Sequence, residues 1–349
     1  MRIAQVAPLH ESVPPKLYGG TERVVSWLTE ELVRRGHEVV LYASGDSETG
    51  AELRPAGERA LRLDPRAIDP LAAHTAMLGR VVREAGEFDV IHFHTDFLHF
   101  PLARLLGRPH LTTLHGRLDL PEVAAVFAEF TDIPVVSISD SQRHPVRRAN
   151  WLATVHHGLP RSLLPFRPHP EGYLAFLGRF TPEKRAEWAI EIARRAGMEI
   201  RLAAKIDPLH QAYFDERIRP LLRLPGVEYV GEVDERGKAE LLGGAAALLF
   251  PIDWPEPFGL VMIEAMACGT PVIALRRGSV PEVMEDGVTG FVVDSLEEAT
   301  AACARLDEID RVACRRVFER RFSVERMADD YERLYRRLAG LDTAGRLAV

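Results

Sequence analysis

Short apolar runs alternate with helical patterns along almost the whole chain, and this alternation most limits what the chain can become. The strand-like runs of the first half are Arg2–Ala7, Glu38–Ala43, Asp89–Phe93, His110–Leu114, Pro134–Ile138 and Ala153–His156. They are rich in Val, Ile and Leu, and most do not alternate with polar residues. Strands of that kind are covered on both faces, as in parallel sheets packed between helices. The clearest helix runs from about Glu22 to Arg35. Val24, Trp27, Leu28 and Leu32 share one face of it, with Thr21 expected as N-cap and Gly36 as the stop.

A proline-rich stretch, Leu159 to Pro170, carries Pro160, Pro165, Pro168 and Pro170 and reads as an interdomain linker. The alternation then restarts. Strands are expected at Tyr173–Leu177, Glu199–Ala204, Val227–Val230, Ala246–Pro251, Pro271–Ala274 and Phe291–Val293. Helices are expected at about Pro182–Ala196, Pro208–Arg223, Arg236–Gly243, Leu260–Ala267, Val280–Glu285 and Leu296–Leu306, with a charged amphipathic helix from Val324 to Leu338. The expectation is an α/β chain of two doubly wound domains with parallel sheets facing a cleft. They would cover 1–165 and 171–322, with 323–349 as a C-terminal helix packing back on the N-terminal domain.

Composition narrows the function classes. The 349 residues carry 44 Lys+Arg against 51 Asp+Glu, a formal net charge of −7. A dedicated nucleic-acid or anionic-membrane binder would show a basic excess. The odd set Cys268, Cys303 and Cys314 has no metal-type spacing, which favours a reducing, cytoplasmic setting. The start, Met1–Pro8, lacks the pattern of a signal peptide. The most apolar window, Leu260 to Leu275, is interrupted by Glu264 and Pro271, so no membrane span is expected. Lysine is scarce: Lys16, Lys184, Lys205 and Lys238 are the whole set. Histidine is concentrated in the first half.

Several familiar motifs are missing. No Gly-x-Gly-x-x-Gly follows a strand, which weakens a dinucleotide oxidoreductase reading. Gly231 to Lys238 echoes a P-loop, but its spacing is one residue too long and Ala239 replaces the Ser/Thr that would hold magnesium. There is no Asp-x-Asp pair to hold a metal–diphosphate. A bound diphosphate would then need protein cations and backbone N–H groups. His92 and His94 alternate at a strand end, with Asp96 and His99 behind, and could bind zinc; a polar strand terminus is the plainer reading.

Three segments carry chemistry. The loop Pro8 to Thr21 ends Leu17-Tyr18-Gly19-Gly20-Thr21 before a helix, where backbone can approach an anion; a turn and helix cap is the plainer reading. The segment Gly178-Arg179-Phe180-Thr181-Pro182-Glu183-Lys184 puts Arg179 at a strand end and Lys184 in what reads as a first helical turn. A cation there opposes the helix dipole unless an anion such as a diphosphate accompanies it; solvated charges explain it equally. Lys205 could extend that cationic wall or simply end a strand. The third segment runs from Trp254-Pro255-Glu256-Pro257-Phe258-Gly259-Leu260 through Glu264 to Pro271. Carboxylates at Glu256 and Glu264 are good acceptors for sugar hydroxyls, and a helix start near Phe258 offers free N–H groups.

The segment Glu256–Pro271, with its Glu-x7-Glu element, resembles the donor-site signature of the retaining glycosyltransferases of family four, which have the GT-B fold. Gly19-Gly20, the Gly-Arg…Glu-Lys segment, Gly231-Glu232 and the stretch from Gly278-Ser279-Val280-Pro281-Glu282 to Gly290-Phe291 stand in the family's order. The resemblance covers nearly the full chain. It implies that Gly19 and Gly20 approach the donor diphosphate or acceptor, and that Arg179 and Lys184 bind the diphosphate. Glu256 would hold donor-sugar hydroxyls, with backbone N–H groups offered by Phe258, Gly259 and Leu260. Glu264 would hold the ribose, Gly231, Glu232 and Val233 would lie beside the base, and His115 would stand near the transferred sugar.

The implied activity is retaining, metal-independent transfer of a sugar from a nucleoside-diphosphate sugar to a small-molecule, glycan or lipid-linked hydroxyl acceptor, with no cofactor beyond that co-substrate. Relatives are thought to use same-face attack, with the leaving phosphate taking the acceptor proton. The alternatives are another GT-B enzyme (a nucleotide-sugar epimerase or a phosphorylase), a non-catalytic sugar-nucleotide binding protein and, most distantly, a zinc hydrolase built on His92 and His94. Arg143, His144, Arg147, Arg148 and Trp151 could touch a membrane face or an anionic acceptor, though a solvated helix face is the plainer reading.

Overall fold

The computed structural model describes residues 1–16 and 19–341, so Leu17 and Tyr18 of the glycine loop and the last eight residues of the expected terminal segment lie outside the described residues. The chain divides into two compact units. One is Met1–Gly158 together with the chain from Val324 onward, and the other is Leu159–Ser323.

The first unit is built on a seven-stranded sheet, β1 (Arg2–Val6), β2 (Glu38–Ala43), β3 (Glu52–Pro55), β4 (Val90–Phe93), β5 (His110–Thr113), β6 (Pro134–Ser137) and β7 (Asn150–Thr154). The order is β3-β2-β1-β4-β5-β6-β7 and every pairing is parallel. The central strands are buried on both faces, as their unbroken apolar runs require. The last strand begins at Asn150, three residues before the apolar run that signals it.

The helix Gly20–Arg34 turns Val24, Leu28 and Leu32 inward. Gly36 ends it with φ +84°, its N–H on the Val33 carbonyl and that of His37 on the Leu32 carbonyl, a Schellman pair that only a residue at ease in the left-handed region can close. The N-cap is Gly19 rather than Thr21. The helix Val324–Leu338 buries Met327, Ala328, Tyr331, Leu334 and Tyr335 in this unit and ties its outer face to Arg35 through Asp329 and to His37 through Glu332.

The second unit has a six-stranded parallel sheet, β8 (Leu174–Phe180), β9 (Ile200–Ile206), β10 (Val227–Gly231), β11 (Ala247–Phe250), β12 (Val272–Leu275) and β13 (Gly290–Val293), in the order β10-β9-β8-β11-β12-β13. The chain winds outward from β8 to β10, then returns to the other side of β8 at β11. That reversal opens a crevice at the carboxyl ends of β8 and β11, where ligands of doubly wound sheets bind. Among the described residues no helix is long and apolar enough to cross a membrane.

Three expectations need correction. The proline-rich stretch is no free linker. Leu159 donates to the Phe322 carbonyl and Arg167 to that of Cys268, so the first unit ends at Gly158, short of residue 165. The helix expected over Pro208–Arg223 is broken into a 3-10 turn, one short α turn, a π segment Phe214–Ile218 and a final 3-10 turn after Pro220, which has no N–H to continue it. The helix expected from Pro182 starts only at Ala186: Pro182–Lys184 is a 3-10 turn, and Arg185, at φ +52°, separates the two.

Candidate active site

Most of the expected residues lie in the second unit. Lys184, on the turn after β8, forms a partly buried ion pair with Oε2 of Glu256, on the loop after β11. The Trp254 indole N–H donates to the same oxygen at 2.9 Å. The Lys184 ammonium also lies 5.2 Å from the Trp254 ring centre and 5.6 Å from that of Phe250. Lys184 is therefore not in a first α-helical turn. It has a carboxylate and two aromatic faces around it.

Its turn is held from below. The Glu183 carbonyl accepts from the Asp253 N–H at 2.9 Å, and Asp253 takes the Arg185 guanidinium at 2.6 Å. The Arg185 side chain stacks on Trp188 at 4.5 Å. These contacts fix a non-glycine residue in the left-handed region, a cost of about 1–3 kcal/mol that persists where the surroundings over-determine it.

The Glu256 loop is braced by Gly278-Ser279. Ser279 N–H donates to the Glu256 carbonyl at 2.9 Å and its hydroxyl to the Phe258 carbonyl at 2.9 Å. Gly278 has φ +52°, and a Cβ there would overlap the backbone N and O of Glu256. Gly259 is the N-cap of the helix Leu260–Cys268, at φ +80°, and no side chain caps it. Here too the residue must be glycine: a Cβ would meet Met262 Cε at 2.8 Å and the Phe250 ring at 3.1 Å. The first-turn N–H groups of that helix, from Leu260 on, carry the positive end of its dipole. The Phe258 side chain faces the core, edge-on to Phe322 at 6.1 Å.

Glu264 lies within that helix, buried, and a residue outside the expected set explains how. Lys238, on the helix Glu235–Gly244, places its ammonium 2.6 Å from Glu264 Oε1 and 3.2 Å from Glu235 Oε1. Lys238 and Glu264 are 6% and 4% exposed, which makes this a buried ion pair rather than surface decoration. The lysine of the failed P-loop echo is thus the counter-ion of the expected ribose carboxylate. The scarcity of lysine was the available signal.

Arg179 ends β8 with its guanidinium 3.2 Å from Asp207 and 3.8 Å from Glu183. Lys205 is its register partner on β9 and has no ion pair with any described residue. Gly231, at φ +84°, closes β10 beside a register shift. Glu232 is exposed, and Val233 packs under Leu241 and Tyr173.

The remaining candidates belong to the first unit. Gly19 and Gly20 open the first helix, and a Cβ on Gly19 would sit 2.9 Å from Glu22 Oε2 and from Pro15 Cβ. Glu22 is buried in that first turn. Burial first, then the charges of Glu11 and Asp96, push its carboxyl up to about 7. His115 follows β5 and hydrogen-bonds His94 at 2.9 Å. His92 uses both ring nitrogens on Tyr335 and Thr113, and His94 uses both on His115 and Gln5. Neither has a lone pair left for zinc, so that alternative fails on geometry. His144, Arg147 and Arg148 are exposed, while Arg143 folds over Trp151 at 5.2 Å and bonds Ser137.

Residues 165–310 match the glycosyl transferases group 1 family, and residues 18–181 match glycosyltransferase family 4. The α-maltose-1-phosphate synthase of Mycolicibacterium smegmatis is 28% identical, over 87% of this chain and 88% of that protein. AviGT4, a glycosyltransferase involved in avilamycin A biosynthesis, superposes with a TM-score of 0.73 at 26% identity, covering 97% of this chain and 98% of the other. Anabaena HepE, solved in complex with UDP-glucose, superposes at 0.72 with 18% identity over 96% of this chain and 99% of its own, a likeness of fold. Two Rossmann-like units with wholly parallel sheets, matched along their length by glycosyltransferases, make this a GT-B fold, and the chain belongs to the family-four (GT4-type) glycosyltransferases.

Proposed function

We propose that the protein transfers a sugar from a nucleoside-diphosphate sugar to a hydroxyl acceptor with retention at the anomeric carbon and without a metal ion. The observation that carries this reading is the Lys184–Glu256 pair at the point where the strand order of the second sheet reverses. It sets a cation and a carboxylate side by side, next to the uncapped start of the helix Leu260–Cys268. Arg179, Lys184 and that helix start supply fixed positive potential where a departing diphosphate gathers charge, the electrostatic task a divalent cation performs elsewhere. Glu256, with its second oxygen, accepts from sugar hydroxyls, and Glu264, oriented by Lys238, accepts from the ribose. The acceptor is assigned to the first unit, at the edge that carries His115.

In the reaction the bond from the anomeric carbon to the diphosphate oxygen breaks and a bond to the acceptor oxygen forms on the same face. The acceptor proton goes to the departing phosphate oxygen. No enzyme nucleophile is invoked, and none of the named carboxylates is assigned that role. The HepE complex supports a nucleotide-sugar donor but leaves the base open.

The test is a thermal-shift screen with UDP, GDP and ADP and their glucose and mannose conjugates, with and without EDTA. One base at about one hundred times its dissociation constant is expected to stabilise by ~2.7 kcal/mol. The shift should survive EDTA and vanish in Arg179→Ala. Proton NMR of the product should show the donor's anomeric configuration. No shift with any nucleotide, or an inverted product, would sink the reading.

A further inference from the structure

A chain of buried hydrogen bonds joins the C-terminal helix to His115, all within the first unit. The Tyr335 hydroxyl lies 3.1 Å from Gln5 Nε2 and 2.7 Å from His92 Nδ1. His92 Nε2 is 2.7 Å from Thr113 Oγ1, which is 2.7 Å from the Tyr331 hydroxyl. On the other side, Gln5 Oε1 is 2.8 Å from His94 Nε2, and His94 Nδ1 is 2.9 Å from His115 Nε2. Burial holds His92 and His94 well below their ordinary range and His115 at about 3, so all three rings are neutral and each has one N–H and one lone pair.

Neutral rings relay hydrogen bonds in either sense, and the Gln5 amide sets which. Gln5 donates its amide N–H to the Tyr335 hydroxyl, which in turn donates a hydrogen bond to His92 Nδ1. The Gln5 carbonyl therefore faces His94. A carbonyl oxygen only accepts, so His94 Nε2 carries the proton and His94 Nδ1 is a lone pair. That lone pair takes the N–H of His115 Nε2. What remains on His115 is a bare Nδ1, buried and without a hydrogen-bond partner among the described residues. Turning the Gln5 amide over would reverse every bond along this arm and make His115 Nδ1 a donor.

We propose that Tyr335 and Gln5 are positioning residues that act through His94. They hold His115 as its Nε2–H tautomer, so that its Nδ1 lone pair accepts a hydrogen bond from a hydroxyl of the carbohydrate acceptor. This rests on the glycosyltransferase reading for the identity of the ligand. A lone pair at this point selects a hydrogen-bond donor: a hydroxyl or an amine fits, and an unprotonated oxyanion does not. The C-terminal helix thus reaches the site without touching substrate.

Histidine-selective 15N labelling and long-range 1H–15N correlation spectra of the full chain read the tautomer directly, with His115→Gln assigning the signal. His115 is expected as a single Nε2–H form in the wild type. In Tyr335→Phe the amide of Gln5 loses its acceptor, and the Nδ1–H form should appear. Tyr331→Phe removes a hydroxyl from the same helix on the arm that leads away from His115, and should lower stability without changing the His115 pattern. Should Tyr335→Phe not fold, Gln5→Met makes the same break. A wild-type His115 in the Nδ1–H form, or an unchanged pattern in the folded Tyr335→Phe or Gln5→Met protein, overturns the proposal. UDP titrated into the same samples reads the donor site separately: its binding tests the second unit, and the spectra alone decide the tautomer.

Discussion

Replacing Lys238 with methionine separates what the buried Lys238–Glu264 pair does for stability from what it does for binding. At 2.6 Å, with both partners under a tenth exposed, the pair has no water to fall back on. Methionine keeps most of the volume and leaves the Glu264 carboxylate stranded. Breaking one side of such a pair costs about 3–5 kcal/mol. Glu235, the other partner of Lys238, has a half-exposed side chain that water can take over, so it adds little. With a urea m-value of about 2 kcal/mol/M for a unit of this size, the midpoint of the second unit should fall by about 2 M. Trp188 and Trp254 report that transition by fluorescence.

In the double variant Lys238→Met/Glu264→Leu the stranded charge is gone, and stability should return to within about 1 kcal/mol of wild type. UDP affinity should not return. Losing the charged acceptor of the ribose hydroxyls removes hydrogen bonds worth about 1.5–3 kcal/mol, a ~10–100-fold weaker dissociation constant by calorimetry. From the single to the double variant, stability then recovers while affinity does not. A double variant that binds UDP as wild type does would refute the ribose role. A single variant that loses less than about 1 kcal/mol would refute the burial argument.

Other outcomes follow from the same geometry. Lys184→Met should weaken UDP binding ~10–100-fold, the value of a charge-assisted hydrogen bond, and an unchanged affinity would remove Lys184 from the diphosphate site. Gly278→Ala places a methyl against the Glu256 backbone at a positive φ; the nucleotide-induced thermal shift should disappear while the circular dichroism of the folded chain is kept, and an intact shift would show the brace to be dispensable. Glu22 has a folded value raised from 4.5 to about 7, so the native state binds a proton that the unfolded chain releases. Its contribution is present below pH 4.5 and is lost as pH rises through 7, at a cost of up to about 3 kcal/mol by pH 8. Glu22→Gln should therefore gain stability over wild type at pH 8 and not at pH 4.5, and parallel pH profiles of urea midpoints would contradict the raised value.

What could be read from the chain and what could not follow from how each element is stabilised. Strands buried on both faces announce themselves as apolar runs, so β1, β4, β11, β12 and β13 were legible nearly to the residue. The edge strand β3, Glu-Leu-Arg-Pro, is half-exposed and has no run to show. Lys184 was legible as a cation just after the first strand of the second unit but not as part of a turn. The left-handed Arg185 that cuts it off from the following helix is held by Asp253, sixty-eight residues away in sequence. Lys238 stood out only as one of four lysines and the end of a rejected P-loop echo, because its partner lies on another helix, twenty-six residues on.

The two tyrosines of the C-terminal helix show the same limit most sharply. Tyr331 and Tyr335 stand four apart on an amphipathic face and read as core, and their rings are core. Their hydroxyls nonetheless end on Thr113, His92 and Gln5, from three different strands more than two hundred residues earlier. Periodicity reports which face of a helix is buried. It cannot report that the buried face carries polar tips with fixed partners, because those partners meet only when the sheet has formed. In this fold the helix Val324–Leu338 is thereby tied to the histidine expected nearest the chemistry. Trimming the chain before Tyr331 should change the state of His115 even though no residue beside it in sequence is altered.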